Sequence, residues 1–283
     1  MLPHDMWVHG YTLRPKRPLS AIAAPGPRHG ALIRVDEGVA DVHPWPELGD
    51  LPLDEQLARL GRGETTPLTA RSVDLARIDG EFRRQGRSAF QGLTIPESHW
   101  PGNDPPPEFD TAKVKGIDRL PERVRLRIDF NATLTPDEFE RIAKTLPRER
   151  IDFIEDPCPY DARVWGDLSR KTRMRLALDR AAESDSVDVL VVKPVVQLFP
   201  DMKREIVVTS SMDHGIGQMA AAWVAASNAP RVSRRCGLFT HALFEPDPFF
   251  ERIRSQGARL LPPDGTGFGF DDLLERLPWK KLE

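Results

Sequence analysis

The sequence predicts an α/β protein in which a β/α barrel follows a smaller α+β region. In the second part of the chain, short strand-like runs recur at intervals of roughly 15 to 25 residues, as expected of repeated β/α units. These runs cover residues 111–115, 124–131, 152–155, 175–179, 189–193 and 206–211. Residues 101–107, which are rich in proline and glycine, precede the runs, and we interpret them as a linker between the two parts.

Helix signals stand before and between these runs. Pro136, followed by two acidic residues and an apolar stripe at helical spacing, predicts the start of a helix. Pro67 after Thr66 predicts another helix start in the first part. The small residues of 215–227 and the segment 271–277 predict a helix after the last run and a short terminal helix.

The first part of the chain contains shorter elements. Residues 31–35 form a strand-like run. Residues 40–50 are expected to form a loop, because Pro44 and Pro46 cannot donate ladder hydrogen bonds. The glycine-rich segment 265–269 lacks the strand and helix of a dinucleotide site, and we interpret it as a loop where the tail returns to the small domain.

The composition is that of a globular protein with nearly balanced charge. The 283 residues include 40 lysines and arginines against 43 acidic residues, which gives a net charge of −3. This balance argues against a nucleic-acid binder, and no apolar run approaches the ~20 residues that a membrane helix needs. The first residues lack the apolar stretch of a signal peptide, and two cysteines are too few for a disulfide framework. We therefore expect a cytoplasmic protein with no nucleic-acid and no membrane partner.

The run 124–131 shows the alternation of a strand with two different faces. One face is apolar and consists of Val124, Leu126, Ile128 and Phe130. The other is polar and consists of Arg125, Arg127, Asp129 and Asn131. In a barrel the apolar face packs under the outer helices, so the polar face is expected to point inward.

Charged residues close five of these runs in succession. Their order along the chain is Lys113-x-Lys115, Asp129-x-Asn131, Glu155, Asp179 and Lys193. Because barrel enzymes carry their active sites at the C-terminal ends of the strands, these side chains are expected to meet in one site.

Three carboxylates that converge in this way predict a metal site. Oxygen ligands suit a hard cation, Mg²⁺ above all, and Mn²⁺ could substitute for it. Without a cation the mutual repulsion of the carboxylates would be costly. Lysines beside the metal can act as base or acid, because a neighbouring ammonium group and a cation both lower the pKa of a lysine. A metal that holds both oxygens of a substrate carboxylate stabilises the enediolate formed when the α-proton leaves.

These segments, taken in order, resemble a known family. The matching segments are residues 113–115, 127–131, 153–158, 178–179 and 192–194, together with the loop 38–47 and the segment 209–217. They resemble the muconate-lactonising branch of the enolase superfamily and, within it, the o-succinylbenzoate synthase family. The resemblance extends from about residue 30 to about residue 240.

The resemblance implies a (β/α)7β TIM-like barrel with an N-terminal capping domain. Residues 1–105 would form the α+β capping domain, residues 106–250 the barrel, and residues 251–283 a segment that returns to the cap. Only nine residues, 116–124, separate two strands where the family has a full helix, and the connection after Asp179 is also short. We therefore predict a barrel with shortened outer helices.

The resemblance also implies a reaction. The family dehydrates a cyclohexadiene carboxylate that carries a succinyl group, a small-molecule carboxylate substrate, to an aromatic product and water. Carried over, Lys115 would take the α-proton and then protonate the departing hydroxyl group, and Lys193 would steady the enediolate from the other face. Lys113 would tune Lys115. The Mg²⁺ ligands would be Asp129, Glu155 and Asp179.

Five further positions are expected near the substrate. Arg127 and Asn131 would either face the substrate or support the residues that do. Thr209, Ser211 and the backbone at Gly237 would contact the succinyl tail. The sequence predicts no oligomeric state.

Two alternatives stay open from the sequence. The same site could serve a racemase of N-acylamino acids or an epimerase of dipeptides, with Lys115 and Lys193 as opposing bases. Asp213 and the loop at residues 43–50 would discriminate between these reactions. The shortened connections also allow a degenerate, non-catalytic barrel. Trp45, within that loop, could contact the substrate or anchor the loop, and we favour the anchor.

Overall fold

A computed structural model describes residues 5–180, 187–201, 203–233 and 235–283. Within these residues, no helix is both long and apolar enough to span a membrane.

The N-terminal part is an antiparallel sheet covered by two helices. Its strands are β1 (Met6–Leu13), β2 (Arg28–Val35) and β3 (Gly38–Val42), and its helices are α1 (Leu53–Gly61) and α2 (Pro67–Arg84). The predicted loop at residues 40–50 is wrong at its beginning, because β3 continues to Val42. The chain leaves the sheet just before the first of the two prolines, as their missing N–H groups require.

Helix α2 packs directly on β3. Thr66 caps the helix by accepting a hydrogen bond from the backbone N–H of Thr69, and Pro67 occupies the first turn as predicted. The helix approaches the sheet very closely at Gly38, where a Cβ atom would lie 1.8 Å from the carbonyl oxygen of Ala76. A glycine at this position therefore fixes how the cap is packed.

Seven parallel strands form the curled sheet that makes most of the barrel. In spatial order they are β5 (Trp100–Pro101), β6 (Thr111–Lys115), β7 (Arg125–Asp129), β8 (Ile151–Glu155), β9 (Leu176–Asp179), β10 (Val189–Val192) and β11 (Glu205–Val208). The six predicted runs are confirmed with small shifts at their ends. The interpretation of Pro101 as linker is wrong, because it pairs with Lys113 in the first barrel strand.

An eighth strand closes the barrel. Strand β12 (Arg235–Cys236) pairs in parallel with β4 (Glu97–Ser98), which directly precedes β5. On its other side, the backbone N–H of Gly237 donates to the carbonyl oxygen of Val208 at 2.9 Å. The interior holds a small apolar cluster, as alternation requires, formed by Phe153, Ala177, Val189, Val191 and Val207.

The outer helices are incomplete, as predicted. Within the described residues, full helices follow only three barrel strands: α3 (Pro136–Ala143), α4 (Ala162–Thr172) and α5 (Gly215–Ser227). Residues 116–124 contain turns and bends without a helix. The short connection after Asp179 lies largely outside the described residues.

The C-terminal tail returns to the N-terminal part. Strands β13 (Ser255–Gln256) and β14 (Arg259–Leu260) extend the small sheet that contains β4 and β12, helix α6 covers Asp271–Leu274, and β15 (Lys280–Lys281) pairs with β1. The terminal helix, predicted over residues 271–277, ends earlier, at Leu274. The glycine-rich loop does meet the cap, because the N–H of Phe268 donates to Asp79 Oδ1 on α2 at 2.6 Å.

Candidate active site

A cavity of about 390 Å³ opens at the C-terminal ends of the barrel strands. The barrel contributes charged and polar residues that include Lys113, Lys115, Asp129, Asn131, Asp179, Lys193, Thr209, Ser211 and Gly237. The N-terminal part contributes the segment from Arg17 to Ser20, together with Ile22, Trp45 and Leu48. The predicted residues therefore meet at the barrel mouth under the cap, with Glu155 beneath them and Arg127 elsewhere.

The first two lysines lie on one side of the carboxylates. Lys113 Nζ lies 2.5 Å from Glu155 Oε1 and 3.1 Å from Asp129 Oδ2. Lys115 Nζ lies 2.5 Å from the same oxygen of Asp129. Both ammonium groups are held by adjacent strands, since β6 and β7 pair in register at these residues.

The third lysine approaches from the other side. Lys193, just beyond the end of β10, forms an ion pair with Asp179 Oδ2 on β9. The second oxygen of that carboxylate, Asp179 Oδ1, is buried and has no hydrogen-bond partner among the described residues. Lys115 and Lys193 thus flank the carboxylates from strands that are four positions apart in the sheet.

The carboxylates crowd one another. Burial, together with the charges of Asp129 and Asp179, raises the pKa of Glu155 to about 7, against the opposing effect of Lys113. Asp156, which sequence reasoning did not single out, joins the group: oxygens of Asp129, Glu155 and Asp156 lie within 4.8 Å of one another. Burial and the neighbouring carboxylates also raise the pKa of Asp156 well above its usual value.

This arrangement fits a divalent cation. Carboxylate oxygens of Asp129, Glu155 and Asp156 converge, as Mg²⁺ and Mn²⁺ prefer. Asp179 is not part of this tight group, but its buried Oδ1 has no partner among the described residues. Asp129 and Glu155 share this region with Asp156, while Asp179 offers its free oxygen beside them. The unfavourable crowding is the electrostatic strain that a cation would relieve.

The protonation of the lysines follows the same balance. Burial lowers the pKa of Lys113, but the charges of Asp129, Glu155 and Asp179 outweigh it and hold the pKa above its ordinary value. The sequence-based expectation of a lowered lysine pKa therefore requires a cation that competes for these carboxylates.

Arg127 does not lie on the cavity. It is buried below Asp129 in the barrel, where its Nε donates to Asp152 Oδ2 at 2.8 Å and its Nη1 donates to the carbonyl oxygen of Arg235 at 2.6 Å. The same Nη1 contacts His99 Nδ1 at 2.9 Å. Of its two expected roles, this position favours support of the residues that face the substrate, because the side chain points inward one layer below the cavity.

The remaining predicted positions do reach the cavity. Asn131 adopts a left-handed backbone conformation, with φ 50°, and its N–H donates to Asp129 Oδ1 at 2.8 Å. The hydroxyl groups of Thr209 and Ser211 are buried without a partner among the described residues. At Gly237 a Cβ atom would lie 2.5 Å from Thr209 Cγ2, so only glycine leaves this wall open.

The cap loop is anchored to the barrel through Trp45. Its indole Nε1 donates to the carbonyl oxygen of Ser211 at 2.9 Å, and the guanidinium group of Arg28 lies 4.1 Å above the ring centroid. The interpretation of Trp45 as an anchor is confirmed, and the ring also borders the cavity. The segment from Arg17 to Ser20 was missed, because a loop without regular structure carries no periodic signal.

Asp213 is fully buried away from the cavity, at the junction of barrel and cap. Its carboxylate lies beside that of Asp41, since a Cβ atom at Gly217 would come within 2.6 Å of Asp213 Oδ2 and 2.8 Å of Asp41 Oδ2. Tyr11 donates to Asp41 Oδ1 at 2.7 Å. Burial raises the pKa of Asp213 to about 7.

Comparison with known proteins agrees with this geometry. Residues 6–82 match the family of O-succinylbenzoate synthase N-terminal domains. An o-succinylbenzoate synthase of Bdellovibrio bacteriovorus is 34% identical over 324 aligned positions, covering 96% of this chain and 97% of that protein. The chain belongs to the o-succinylbenzoate synthase family of the enolase superfamily. Membership makes it an enzyme of the hydro-lyase class, so we set the non-catalytic alternative aside.

Solved structures of the enolase superfamily share the fold. The dipeptide epimerase of Enterococcus faecalis, complexed with Mg and the dipeptide L-Leu-L-Tyr, has a TM-score of 0.75 at 16% identity and covers 95% of this chain and 99% of its own. A superfamily member from Roseovarius nubinhibens, complexed with magnesium, has a TM-score of 0.73 at 17% identity and covers 99% and 98%. These neighbours support a capped barrel in this o-succinylbenzoate synthase family member.

Proposed function

We propose that the protein is an o-succinylbenzoate synthase that dehydrates 2-succinyl-6-hydroxy-2,4-cyclohexadiene-1-carboxylate to 2-succinylbenzoate, a step of menaquinone biosynthesis. The observation that carries the proposal is the placement of Lys115 and Lys193 on opposite sides of one group of carboxylates, in a chain with a full-length relative of that name. In such a site one lysine can transfer a proton at one face of a bound carboxylate. The other lysine, as an ammonium group, can stabilise negative charge from the opposite face.

The proposed metal is Mg²⁺, held by Asp129, Glu155 and Asp179. The crowding of the carboxylates and the unpartnered Oδ1 of Asp179 support this ligand set. Bound there, the cation supplies positive charge where negative charge builds up on the substrate carboxylate. Asp156 lies close enough to orient the ligands or to take a place among them.

Lys115 is the proposed base and acid. As a neutral amine it takes the proton from the carbon that bears the carboxylate, and the electron pair moves into that carboxyl group. The electrons then return, the carbon–oxygen bond to the neighbouring hydroxyl group breaks, and the Lys115 ammonium group protonates the departing oxygen to give water. The lysine is regenerated as an amine and the ring becomes aromatic. Both transfers occur on one face, which gives a syn elimination.

The other two lysines assist without exchanging a proton with carbon. Lys193 stays an ammonium group on the opposite face, where its charge stabilises the enediolate. Lys113 bridges Asp129 and Glu155, so it holds both carboxylates in place and raises the positive potential at Lys115. A positive neighbour favours the neutral amine form that the base requires.

The succinyl tail is proposed to lie against the last strands. The hydroxyl groups of Thr209 and Ser211 have no partner in the part of the chain that the structure describes, and Gly237 leaves room beside them. Asn131 also borders the cavity, and we place the ring of the substrate beside it. The proposed partner of this site is therefore a small-molecule carboxylate.

The epimerase alternative fits the cavity less well. A dipeptide carries an ammonium group, which needs an acidic partner beyond the metal ligands. Asp213 was the residue expected to discriminate, but it is fully buried and does not border the cavity. Of the remaining charged residues on the described part of the wall, Asp156 lies within the carboxylate group, whereas Arg17 and Arg180 suit an anion. An N-acylamino acid has no ammonium group, so this argument does not weigh against a racemase of such substrates.

A direct comparison of substrates tests the proposal. The purified chain with Mg²⁺ would be given the cyclohexadiene carboxylate, an N-acylamino acid and L-Leu-L-Tyr in separate reactions. We expect the ultraviolet absorbance of the aromatic product to rise in the first reaction, at a kcat/KM at least tenfold above that for racemisation in the others. Faster racemisation than dehydration would contradict the proposal.

A further inference from the structure

The cavity wall carries more positive charge than the metal site uses. Lys113, Lys115 and Lys193 are all paired with carboxylates of the metal group. Two arginines also border the cavity on the described part of the chain. Arg17 is exposed on the cap segment, whereas Arg180 is largely buried beside Asp179, with 17% of its side chain exposed.

Arg180 is poorly paired for a buried guanidinium group. Its Nη1 lies 3.4 Å from Asp50 Oδ2 on the cap loop, which is a long contact for a charged hydrogen bond. Its Nε and Nη2 are buried and have no acceptor among the described residues. Buried N–H donors of a charged group destabilise the fold when they have no acceptor. Their presence beside the cavity therefore points to an acceptor on the ligand.

The position of Arg180 suits the tail end of the proposed substrate. Asp50 Oδ2 also accepts the backbone N–H of Trp45 at 2.8 Å, and the indole of Trp45 reaches Ser211 at 2.9 Å. Arg180 therefore stands at one end of a continuous line of contacts that runs along the cap loop to the proposed tail-binding strand. Its backbone, at φ 57°, turns directly after the strand that ends in Asp179.

We propose that Arg180 binds the terminal carboxylate of the succinyl tail and so makes the site selective for dianionic substrates. This inference rests on the proposed function, because a succinylbenzoate carries two carboxylates and the metal site can take only the one on the ring. The guanidinium fork presents parallel N–H groups to one carboxylate, which a lysine could not match. The tail carboxylate thus gains a charged partner that is largely buried.

The test compares two ligands in variant proteins. With Mg²⁺ present, calorimetry measures Kd for 2-succinylbenzoate and for 2-butanoylbenzoate, in which a methyl group replaces the tail carboxylate. We expect the wild type to prefer the dicarboxylate by roughly tenfold or more, from the strength of a charged hydrogen bond. In Arg180→Gln this preference should nearly vanish, while the affinity for 2-butanoylbenzoate changes little. Arg180→Lys, which keeps the charge, should retain part of the preference and serves if the glutamine variant folds poorly.

Matched variants separate binding from support of the loop. Asp50→Asn removes the ionic contact of the cap loop with Arg180 but keeps the guanidinium group, and should leave the preference intact. Arg17→Gln removes the other arginine and should also leave it intact. An equal loss of both ligands in Arg180→Gln would show a role in support only and would overturn the proposal, as would a preference that depends on Arg17.

The result is independent of whether turnover follows the proposed route. If wild type with Mg²⁺ dehydrates the cyclohexadiene carboxylate but Arg180→Gln keeps its preference between the two ligands, the reaction stands and the role of Arg180 falls. If wild type binds neither ligand, the proposed function itself is contradicted.

Discussion

The two ends of the barrel interior use the same strands for opposite purposes. At the N-terminal ends, Arg127 and Asp152 form a buried pair, with Arg125 and Arg175 around the same carboxylate. Three arginines thus surround one carboxylate there, and the negative charge of Asp152 is compensated.

At the C-terminal ends the balance differs. Asp129, Glu155, Asp156 and Asp179 stand close enough to shift one another's pKa values, and Asp179 keeps an oxygen without a partner. Buried charge stabilises a fold only when it is fully paired. The comparison teaches that an inward carboxylate marks a functional site when other carboxylates crowd it, and a structural one when cations alone surround it.

The largest expected effect is on turnover at the C-terminal end. Lys115→Ala and Lys193→Ala should each lower kcat for dehydration by about 10²–10⁴-fold, the range typical of acid–base groups. The thermal midpoint should change little, because both lysines lie at the mouth of the barrel. A steady-state assay with circular dichroism melting checks both statements.

Lys144→Ala serves as the control, since its side chain is 69% exposed directly after α3. Turnover near the wild-type value in Lys115→Ala or Lys193→Ala would remove the assigned roles. If Lys193→Ala kept its activity and Lys115→Ala lost it, the role of Lys115 would stand. Another group would then have to stabilise the enediolate.

The next effect concerns the metal ligands. Asp179→Asn should weaken Mg²⁺ binding by about 100-fold or more, since even indirect partners of a metal contribute 10–100-fold. Asp156→Asn should weaken it by less than about tenfold, because the proposed ligand is Asp179. Calorimetric titration with Mg²⁺ measures both, and the reverse order would exchange the roles of the two aspartates.

At the opposite end, the expected effect is on stability. Arg127→Met should lower the free energy of unfolding by about 3–5 kcal/mol, because it leaves Asp152 buried without its main partner. Arg125→Met is the matched control on the same strand, and its exposed contact should contribute at most about 1 kcal/mol. Urea unfolding measures both. A large loss of kcat in folded Arg127→Met would contradict the separation of the two ends.

The smallest expected effect lies at the junction of barrel and cap. Burial raises the folded-state pKa of Asp213 from 3.8 to about 7. A raised pKa means that its protonated form stabilises the fold below about pH 4, and that this stability is lost as the pH rises to 7. The stability of Asp213→Asn relative to the wild type should therefore increase by roughly 2–3 kcal/mol between pH 5 and pH 8.

Chemical unfolding at pH 5 and pH 8 checks this last statement. The difference between wild type and Asp213→Asn should grow with pH, and Asp41→Asn should show the same trend because its carboxylate lies beside that of Asp213. A stability difference independent of pH would show that the raised pKa does not govern this junction.

Much of this site could be predicted because strands impose a strict alternation. Lys115, Asp129, Glu155 and Asp179 end four successive parallel strands, so their meeting follows from the pattern alone. Alternation does not determine how far below the barrel mouth an inward side chain lies. Arg127 could therefore be expected near the substrate, although it lies below the layer of Asp129 and does not border the cavity. The strand Trp100–Pro101 has no recognisable signal in the sequence, because two residues are too few to show a period and Gly102 and several prolines follow.

Contacts between distant segments could not be predicted. Trp45 meets Ser211 across the junction of cap and barrel, and Arg180 meets Asp50 in the same way. Neither pairing has a local signal, since each depends on how the cap settles on the barrel. Asp156 was missed for another reason: it follows Glu155 directly, and alternation assigns it to the other face, whereas its backbone turns to the left-handed region at φ 43°.

The most direct test of the central claim is the dependence of turnover on the metal. Purified protein is stripped with EDTA, supplied with 2-succinyl-6-hydroxy-2,4-cyclohexadiene-1-carboxylate, and followed by the absorbance of the aromatic product before and after Mg²⁺ is added. We predict no product without the cation and rapid aromatisation after its addition. Turnover that is equally fast in EDTA, or no product at high enzyme concentration with Mg²⁺, would contradict a metal-dependent lyase built on the C-terminal carboxylates.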